Sequence, residues 1–344
     1  MKRILSVLIC FFAVLFLLGG CGRADENDGA ASGLRDRFFE KADGVTVTED
    51  AVIFTDSVGR EMVIGKNPEK VVSLNPSLTT LWYECGGEVS ACIGSTAACE
   101  LYTELIGRDI TLDDGMTVAS KSAAAKNWDM ESIIALKPDL ILCSTAMNGY
   151  DTVKGPAEAA KIPVICADYD DFADYLMWSK VFSEILGNSG EWEVSAMRVF
   201  DEVETIAETV PDDGNPDVLA IFADSGSLQA NTSNTMLGEM IALLGGRNIA
   251  DRTGSGSERV GISLEAVYAA DPDVIFVQCH RDTEAAREQI EKTYGESPVW
   301  QALTAVKEGR VYYLEKTLFH SKPNRRFAEA YGILYELMYS DRNY

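Results

Sequence analysis

Histidine is almost missing from this chain: 344 residues carry two, His280 and His320. A dedicated transition-metal site needs three or four convergent donors, so a receptor for the bare cation has too little to build on. Cations are scarce as well, 30 Lys and Arg against 54 Asp and Glu, for a net charge of −24. That balance excludes nucleic acid, whose phosphates need clustered Lys and Arg. It also excludes attachment to anionic lipid by charge alone; surplus acid otherwise reads as solvated surface and names no partner. The eight cysteines form no CxxC pair and no metal-finger spacing, and most lie in or beside apolar runs, as small buried hydrophobes do. Catalytic signatures are missing too: there is no GxSxG, HExxH, phosphate loop or GxGxxG. Cys279-His280 resembles a nucleophile and base on paper, but adjacent strand residues point to opposite faces. An extracytoplasmic hydrolase is therefore a weak alternative, and the chain is expected to be no enzyme and to hold no intrinsic cofactor.

The N-terminus does carry a signal. Lys2 and Arg3 precede an apolar run from Ile4 to Leu18, too short to span a bilayer, which takes ~20 residues. Leu18-Gly19-Gly20-Cys21 follows and resembles the bacterial lipoprotein signal, in which the Cys is lipidated. Residues 1–20 are thus expected to be removed, with Cys21 as the lipid anchor on the outer face of the cell membrane. Residues 22–33 (GRADENDGAASG) are small, polar and without period, so 21–44 reads as a flexible tether.

The most informative pattern is a duplication. Residues 130–142 (MESIIALKPDLIL) and 264–276 (LEAVYAADPDVIF) share a Glu, an Ala, a Pro-Asp pair and an Ile, 134 positions apart. A helix-loop-strand unit written twice implies two similar α/β lobes with a ligand cleft between them. Short apolar runs followed by turns mark parallel strands at Val71–Asn75, Ala91–Ser95, Leu140–Ser144 and Val164–Ala167, then at Val218–Ala223, Val274–Gln278 and Val311–Leu314. Residues 52–64 read as a hairpin about Ser57-Val58-Gly59. Helical periodicity over 172–211, interrupted near Gly187–Gly190, predicts a long connecting helix, hence a stiff hinge and a small closure. The division is 45–171, 172–211 and 212–344: two Rossmann-like α/β lobes joined by a long helix.

The segment TDSVGREMVIGKNPEKVVSLNPSLTTLWYECGG, the two Glu…Pro-Asp units and SPVWQALTAVKEGRVYYLE resemble the substrate-binding lipoproteins of ABC importers for iron-siderophores, haem and cobalamin, over about residues 50–340. The resemblance implies a metal-chelate receptor that hands its ligand to an ABC permease with its ATPase. It also implies that one acid per lobe docks on that permease. By position these are Glu131 and Glu265, each placed in a first helical turn by a capping residue, Asp129 or Ser263. A surface lipoprotein that scavenges haem or corrinoid without a permease is the alternative, and would have no use for the paired acids. A monomer is expected.

Ligands of such sheets sit beyond the carboxyl ends of the strands. In the first lobe that selects Ser77, at a helix start after Asn75-Pro76, together with Tyr150 and Tyr169. In the second it selects Ser225, His280, Phe319, His320, Lys322, Arg325 and Arg326. Lys322, Arg325 and Arg326 occupy the start of the C-terminal helix, where the dipole disfavours cations, a local conflict of the kind found at functional sites. They are read as an anion-accepting cluster for acidic groups on the ligand, with surface pairing to Glu329 as the plainer explanation. His280 and His320 are read as hydrogen-bonding or metal-ligating groups toward a haem or corrinoid. Tyr102, Trp128, Tyr150, Tyr169 and Phe319 are candidate aromatic walls, and Ser225, Asn231 and Asn234 candidate hydrogen-bond donors or mere turn formers. The basic cluster favours an anionic ferric siderophore over haem or cobalamin.

Overall fold

A computed structural model describes residues 27–122, 128–147, 149–212, 215–224 and 226–339. The signal peptide and Cys21 lie outside the described residues. A small antiparallel sheet comes first, β1 (Thr46–Val47), β2 (Ala51–Thr55) and β3 (Glu61–Gly65), with β2 and β3 forming the expected hairpin. The first lobe then builds a five-stranded parallel sheet from β4 (Val71–Ser73), β5 (Ala91–Ile93), β6 (Thr117–Ser120), β7 (Leu140–Cys143) and β8 (Val164–Cys166), in the order β6-β5-β4-β7-β8. Every residue of β4, β5, β7 and β8 is buried. That explains why these strands read as unbroken apolar runs: helices cover both faces of a parallel sheet.

The second lobe contains β9 (Asp217–Asp224), β10 (Ser227–Asn231), β11 (Arg247–Asn248), β12 (Arg259–Gly261), β13 (Val274–Cys279) and β14 (Val311–Leu314). The order is β12-β10-β9-β13-β14, with β11 added to the start of β9. Here β10 and β12 run antiparallel, so the expected loop over 224–234 is in part a strand. Its only fully buried positions are Ala230 and Asn231, too little apolar content to register as a strand period.

The duplicated unit now has a physical explanation. Lys137 (φ 52°) and Asp271 (φ 43°), 134 positions apart, both take the left-handed conformation that ends the helix. The next Pro-Asp starts the strand, and its Asp clamps the neighbouring strand of the same sheet. Asp139 accepts from the Glu69 and Lys70 amides at 3.0 and 2.9 Å, while Asp273 accepts from the Asp217 amide at 2.8 Å. The repeated residues therefore set the start of the central strand pair in each lobe, β4–β7 and β9–β13.

The lobe connection is helical but comes in three pieces: Phe172–Ile185, Ser189–Val194 and Ala196–Glu208. The interruption expected near Gly187 is present, with Gly187 left-handed at φ 66°, and a second falls at Ser195. The second piece folds back on the first, its Trp192 indole donating to the Leu176 carbonyl at 3.1 Å. The tether expectation fails over its C-terminal part. Asn27–Asp43 is a helix, with Phe38, Phe39 and Ala42 buried; an apolar triplet on one face outweighs the polar, glycine-containing lead-in.

One buried cluster runs from Phe38 through the first lobe and the connection to the C-terminal helix Phe327–Tyr339. A second fills the outer face of the second sheet around Ile221, Val277 and Trp300. The connection and the end of the first lobe meet the C-terminal helix along an aromatic seam, in which Phe172 lies 4.9 Å from Phe327 and 5.9 Å from Tyr331, and Tyr169 6.3 Å from Phe327, centroid to centroid.

Candidate functional site

The carboxyl ends of the two parallel sheets form the rim where ligands are expected. On the first-lobe rim, Asp168 after β8 accepts from the Ser144 hydroxyl (2.7 Å), the Thr145 amide (2.8 Å) and the Thr145 hydroxyl (2.6 Å), fixing the ends of β7 and β8 together. Asn75 after β4 caps the next helix, its Oδ1 accepting from the Ser77 and Leu78 amides at 2.9 and 3.2 Å. The helix-start amides of Ser77 and Leu78 are therefore used by this cap rather than left open to a ligand.

The second-lobe rim brings both histidines together, their ring centroids 4.8 Å apart. Phe222, near the end of β9, lies beneath them, stacked on His320 at 5.6 Å and edge-on to His280 at 5.9 Å. His280 Nε2 is 3.8 Å from Asp224. Arg259 of β12, not selected from the sequence, joins the group with its guanidinium 4.2 Å from the Phe222 ring centre. Its Nε donates to Asn231 Oδ1 at 3.0 Å, Asn231 donates to Gln278 Oε1 at 2.9 Å, and Gln278 donates to the Phe319 carbonyl. Asn231 and Gln278 are buried, so Arg259 is aimed by a satisfied polar network. Among the described residues its terminal nitrogens have only a loose contact, 3.9 Å to Glu258. Asn231 is thus buried, with its side chain spent on supporting Arg259.

Burial, with His280, Lys316, Arg259 and Lys322 adding positive charge nearby, pulls the His320 imidazole down to about 4. It is neutral at pH 7 and able to accept a hydrogen bond or donate a lone pair. Between the unfolded value near ~6.5 and this one, the unfolded chain takes up a proton that the folded chain refuses. Stability is full above that window and falls as pH drops through it. Unfolding by urea at pH 7 and pH 4.5 is expected to show His320→Asn losing roughly 2 kcal/mol less than the parent over that interval. Equal losses in the two proteins would contradict this assignment.

The proposed anion cluster is not assembled. Arg326 pairs with Glu329 through two bonds (2.7 and 3.0 Å) and with Glu104 of the first lobe at 2.5 Å. Arg325 packs by its amide (3.2 Å) and Nε (3.5 Å) against the buried Glu84, which also accepts from the Tyr175 hydroxyl at 2.8 Å. Lys322 sits 3.4 Å from Asp170 and over the Tyr169 ring. Between them Asn324 is buried with φ 53° and donates to Thr80 at 3.1 Å. Residues 322–326 therefore tie the second lobe to the first, and their charges are met by acids from distant parts of the chain. Both arginines lie in a 3-10 turn, Asn324–Arg326, at the positive end of the helix, and it is Glu84, Glu104 and Glu329 that offset the dipole conflict there.

Other candidates fare unevenly. Phe319 is core, 1% exposed, and Tyr169 is buried in the aromatic seam, so neither is a cleft wall. Tyr102 and Trp128 are buried as well. Tyr150 lies beside Arg60 of the hairpin, whose guanidinium is 5.4 Å from its ring centre. Ser225 falls outside the described residues. Cys279 is buried and its thiol is pushed up to about 11, chiefly by burial, which disfavours a thiolate nucleophile there. A cavity of about 620 Å³ is lined by Lys41, Phe54, Asp56, Asp168, Asp174 and Trp178 among others; it belongs to the first lobe and its flanking helices, not to the space between lobes.

Glu131 and Glu265 are both exposed in the first turns of Met130–Ala135 and Leu264–Ala270. Asp129 accepts from the Ser132 amide at 3.1 Å and Ser263 from the Ala266 amide at 3.3 Å, as expected of caps. A helix feeding a parallel strand runs antiparallel to it, so each glutamate stands at the carboxyl rim of its own sheet.

Comparison with known proteins agrees with this architecture. A curated relative, the Fe(3+)-citrate-binding protein YfmC of Bacillus subtilis, is 23% identical over 313 residues, 90% of this chain and 89% of its own. The ABC transporter substrate-binding lipoprotein YvrC of the same organism is 25% identical over 355 aligned positions, 99% of each chain. The crystal structure of the catecholate-siderophore-binding protein VctP from Vibrio cholerae superposes with a TM-score of 0.65 at 16% identity, covering 85% of this chain and all of that one. The family model described as periplasmic binding protein matches residues 71–318. With that match over most of its length, and with two α/β lobes whose strand ends form the rim, the chain belongs to the periplasmic binding protein family.

Proposed function

We propose that this protein is the receptor of an ABC importer for an anionic ferric chelate, bound between the lobes at the His280–His320–Phe222–Arg259 patch. The observation that carries the reading is Arg259. It is a guanidinium held rigid from behind, with its terminal nitrogens unspent, next to a neutral imidazole and an aromatic face. A planar fork of that kind takes a carboxylate or catecholate oxygen pair with two hydrogen bonds. The two histidines come from one lobe with adjoining rings, so they suit hydrogen bonding to a chelate better than gripping one metal from opposite sides. Relatives and structural neighbours named for ferric citrate and for catecholate siderophores support the chelate class; haem is the next choice and cobalamin the last.

Delivery to the permease and its ATPase runs through Glu131 and Glu265. Cys21 supplies the lipid anchor, the protein works as a monomer on the outer face of the membrane, and relatives named as lipoproteins support that placement. Among the described residues no helix is long and apolar enough to cross a membrane. The test is a hydrogen-exchange footprint with ferric citrate. Protection is expected on both rims at once, around 144–145 and 168 in one lobe and around 259, 280 and 320 in the other. Protection confined to one lobe would reject the interlobe site.

A further inference from the structure

The three-piece connection between the lobes is weaker than a single helix. Its first break has a left-handed glycine, and its second, at Ser195, lacks a side-chain cap. Across both breaks lies the helix Asn27–Asp43. Phe38 packs edge-on to Phe172 of the first piece at 5.2 Å. Phe39 packs on Trp192 of the second at 6.1 Å and on Phe200 of the third at 4.8 Å. Polar ties add to this. Lys41 bonds Asp174 at 2.6 Å and lies 3.6 Å from Asp171. Lys180 of the first piece donates to the Ala42 carbonyl at 2.9 Å, a cation at the C-terminal end of the helix, and lies over the Trp192 ring. Arg37 bonds Glu239, in the second-lobe helix Met236–Leu243, at 3.1 Å.

We infer that the helix Asn27–Asp43 is a splint: it holds the broken connection as one body and ties it to the second lobe, so that the segment nearest the N-terminus sets how far the lobes open. Two aromatic side chains reaching three helices, plus an ion pair to a fourth, is more than a loose tether would make. The connection alone has two points free to bend; with the splint docked, bending either one breaks an aromatic contact of Phe38 or Phe39. The inference does not depend on the identity of the ligand.

The test uses the full chain with Arg37→Glu and Lys41→Glu together, which places like charges against Glu239, Asp171 and Asp174. Arg37 and Lys41 are each about half exposed, so their replacement leaves the core intact. Amide exchange over residues 186–196 is expected to rise at least tenfold along with that of 34–43. The distance distribution between spin labels at Glu158→Cys and Glu308→Cys, one in each lobe, is expected to broaden. The protein should still unfold in a single thermal transition. If the double variant loses the fold altogether, Phe39→Leu, which keeps an apolar contact but shortens its reach, decides by the same two readouts. Release of 34–43 with unchanged exchange at 186–196 and unchanged distances would overturn the inference. So would a parent protein in which 34–43 already exchanges like free chain.

Discussion

Reversing Glu131 and Glu265 to lysine is expected to abolish uptake in cells while leaving the purified protein's affinity for its ligand unchanged. Both side chains are exposed, and neither contributes to the His280–Arg259 patch, so the binding reaction should not sense them. Each loses a favourable interaction with its helix start of roughly 0.3–1 kcal/mol and gains a repulsive one of similar size. Against a typical stability of about 5–15 kcal/mol the fold survives. A basic partner surface would lose two attractions and meet two like charges, and such juxtaposition costs several kcal/mol. The measurement is accumulation of radiolabelled iron chelate by cells carrying the variant, beside a titration of the purified protein. Single reversals should fall between the two. Normal uptake by the double variant would remove the docking role.

The second large effect is expected at Arg259. Replacing it with glutamine should weaken an anionic ferric chelate about 30- to 100-fold, the loss of a charge-assisted hydrogen-bonded pair worth roughly 2–3 kcal/mol. Asn231→Leu should give a smaller loss in the same direction, since it removes the group that aims the guanidinium. Arg326→Gln should change affinity little, because Arg326 already answers Glu104 and Glu329. Calorimetric titration with ferric citrate separates these. Equal losses at Arg259 and Arg326, or none at Arg259, would return the anion site to the C-terminal segment or remove it.

The contrast between those two arginines shows where sequence reasoning stops. The seven parallel strands β4, β5, β7, β8, β9, β13 and β14, the hairpin, the two lobes and the duplicated unit were legible because each is written locally, in apolar runs, caps and the Pro-Asp turn. Lys322, Arg325 and Arg326 were equally visible as cations. The acids that meet them, Glu104, Glu84 and Asp170, stand 152 to 241 positions away, and no period or spacing connects them. Arg259 was missed for the opposite reason. Its strand is three residues long after the glycine- and serine-rich GSGSE, and its aim comes from Asn231 and Gln278, on different strands. His280 and His320 were found by rarity and strand-end placement, though their contact with each other needed the fold. The helix Asn27–Asp43 was not legible because residues 22–33 carry no apolar period, and Phe38-Phe39, the pair that docks it, is too short to set one.

The most direct measurement is equilibrium binding of the purified chain to ferric citrate, a ferric catecholate, haem and cyanocobalamin, followed by absorbance and tryptophan quenching. Micromolar or tighter binding of an anionic ferric chelate, lost in Arg259→Gln and kept in Glu131→Lys/Glu265→Lys, is the expected result. Tight binding of cyanocobalamin alone, or of an iron chelate indifferent to Arg259, would contradict it.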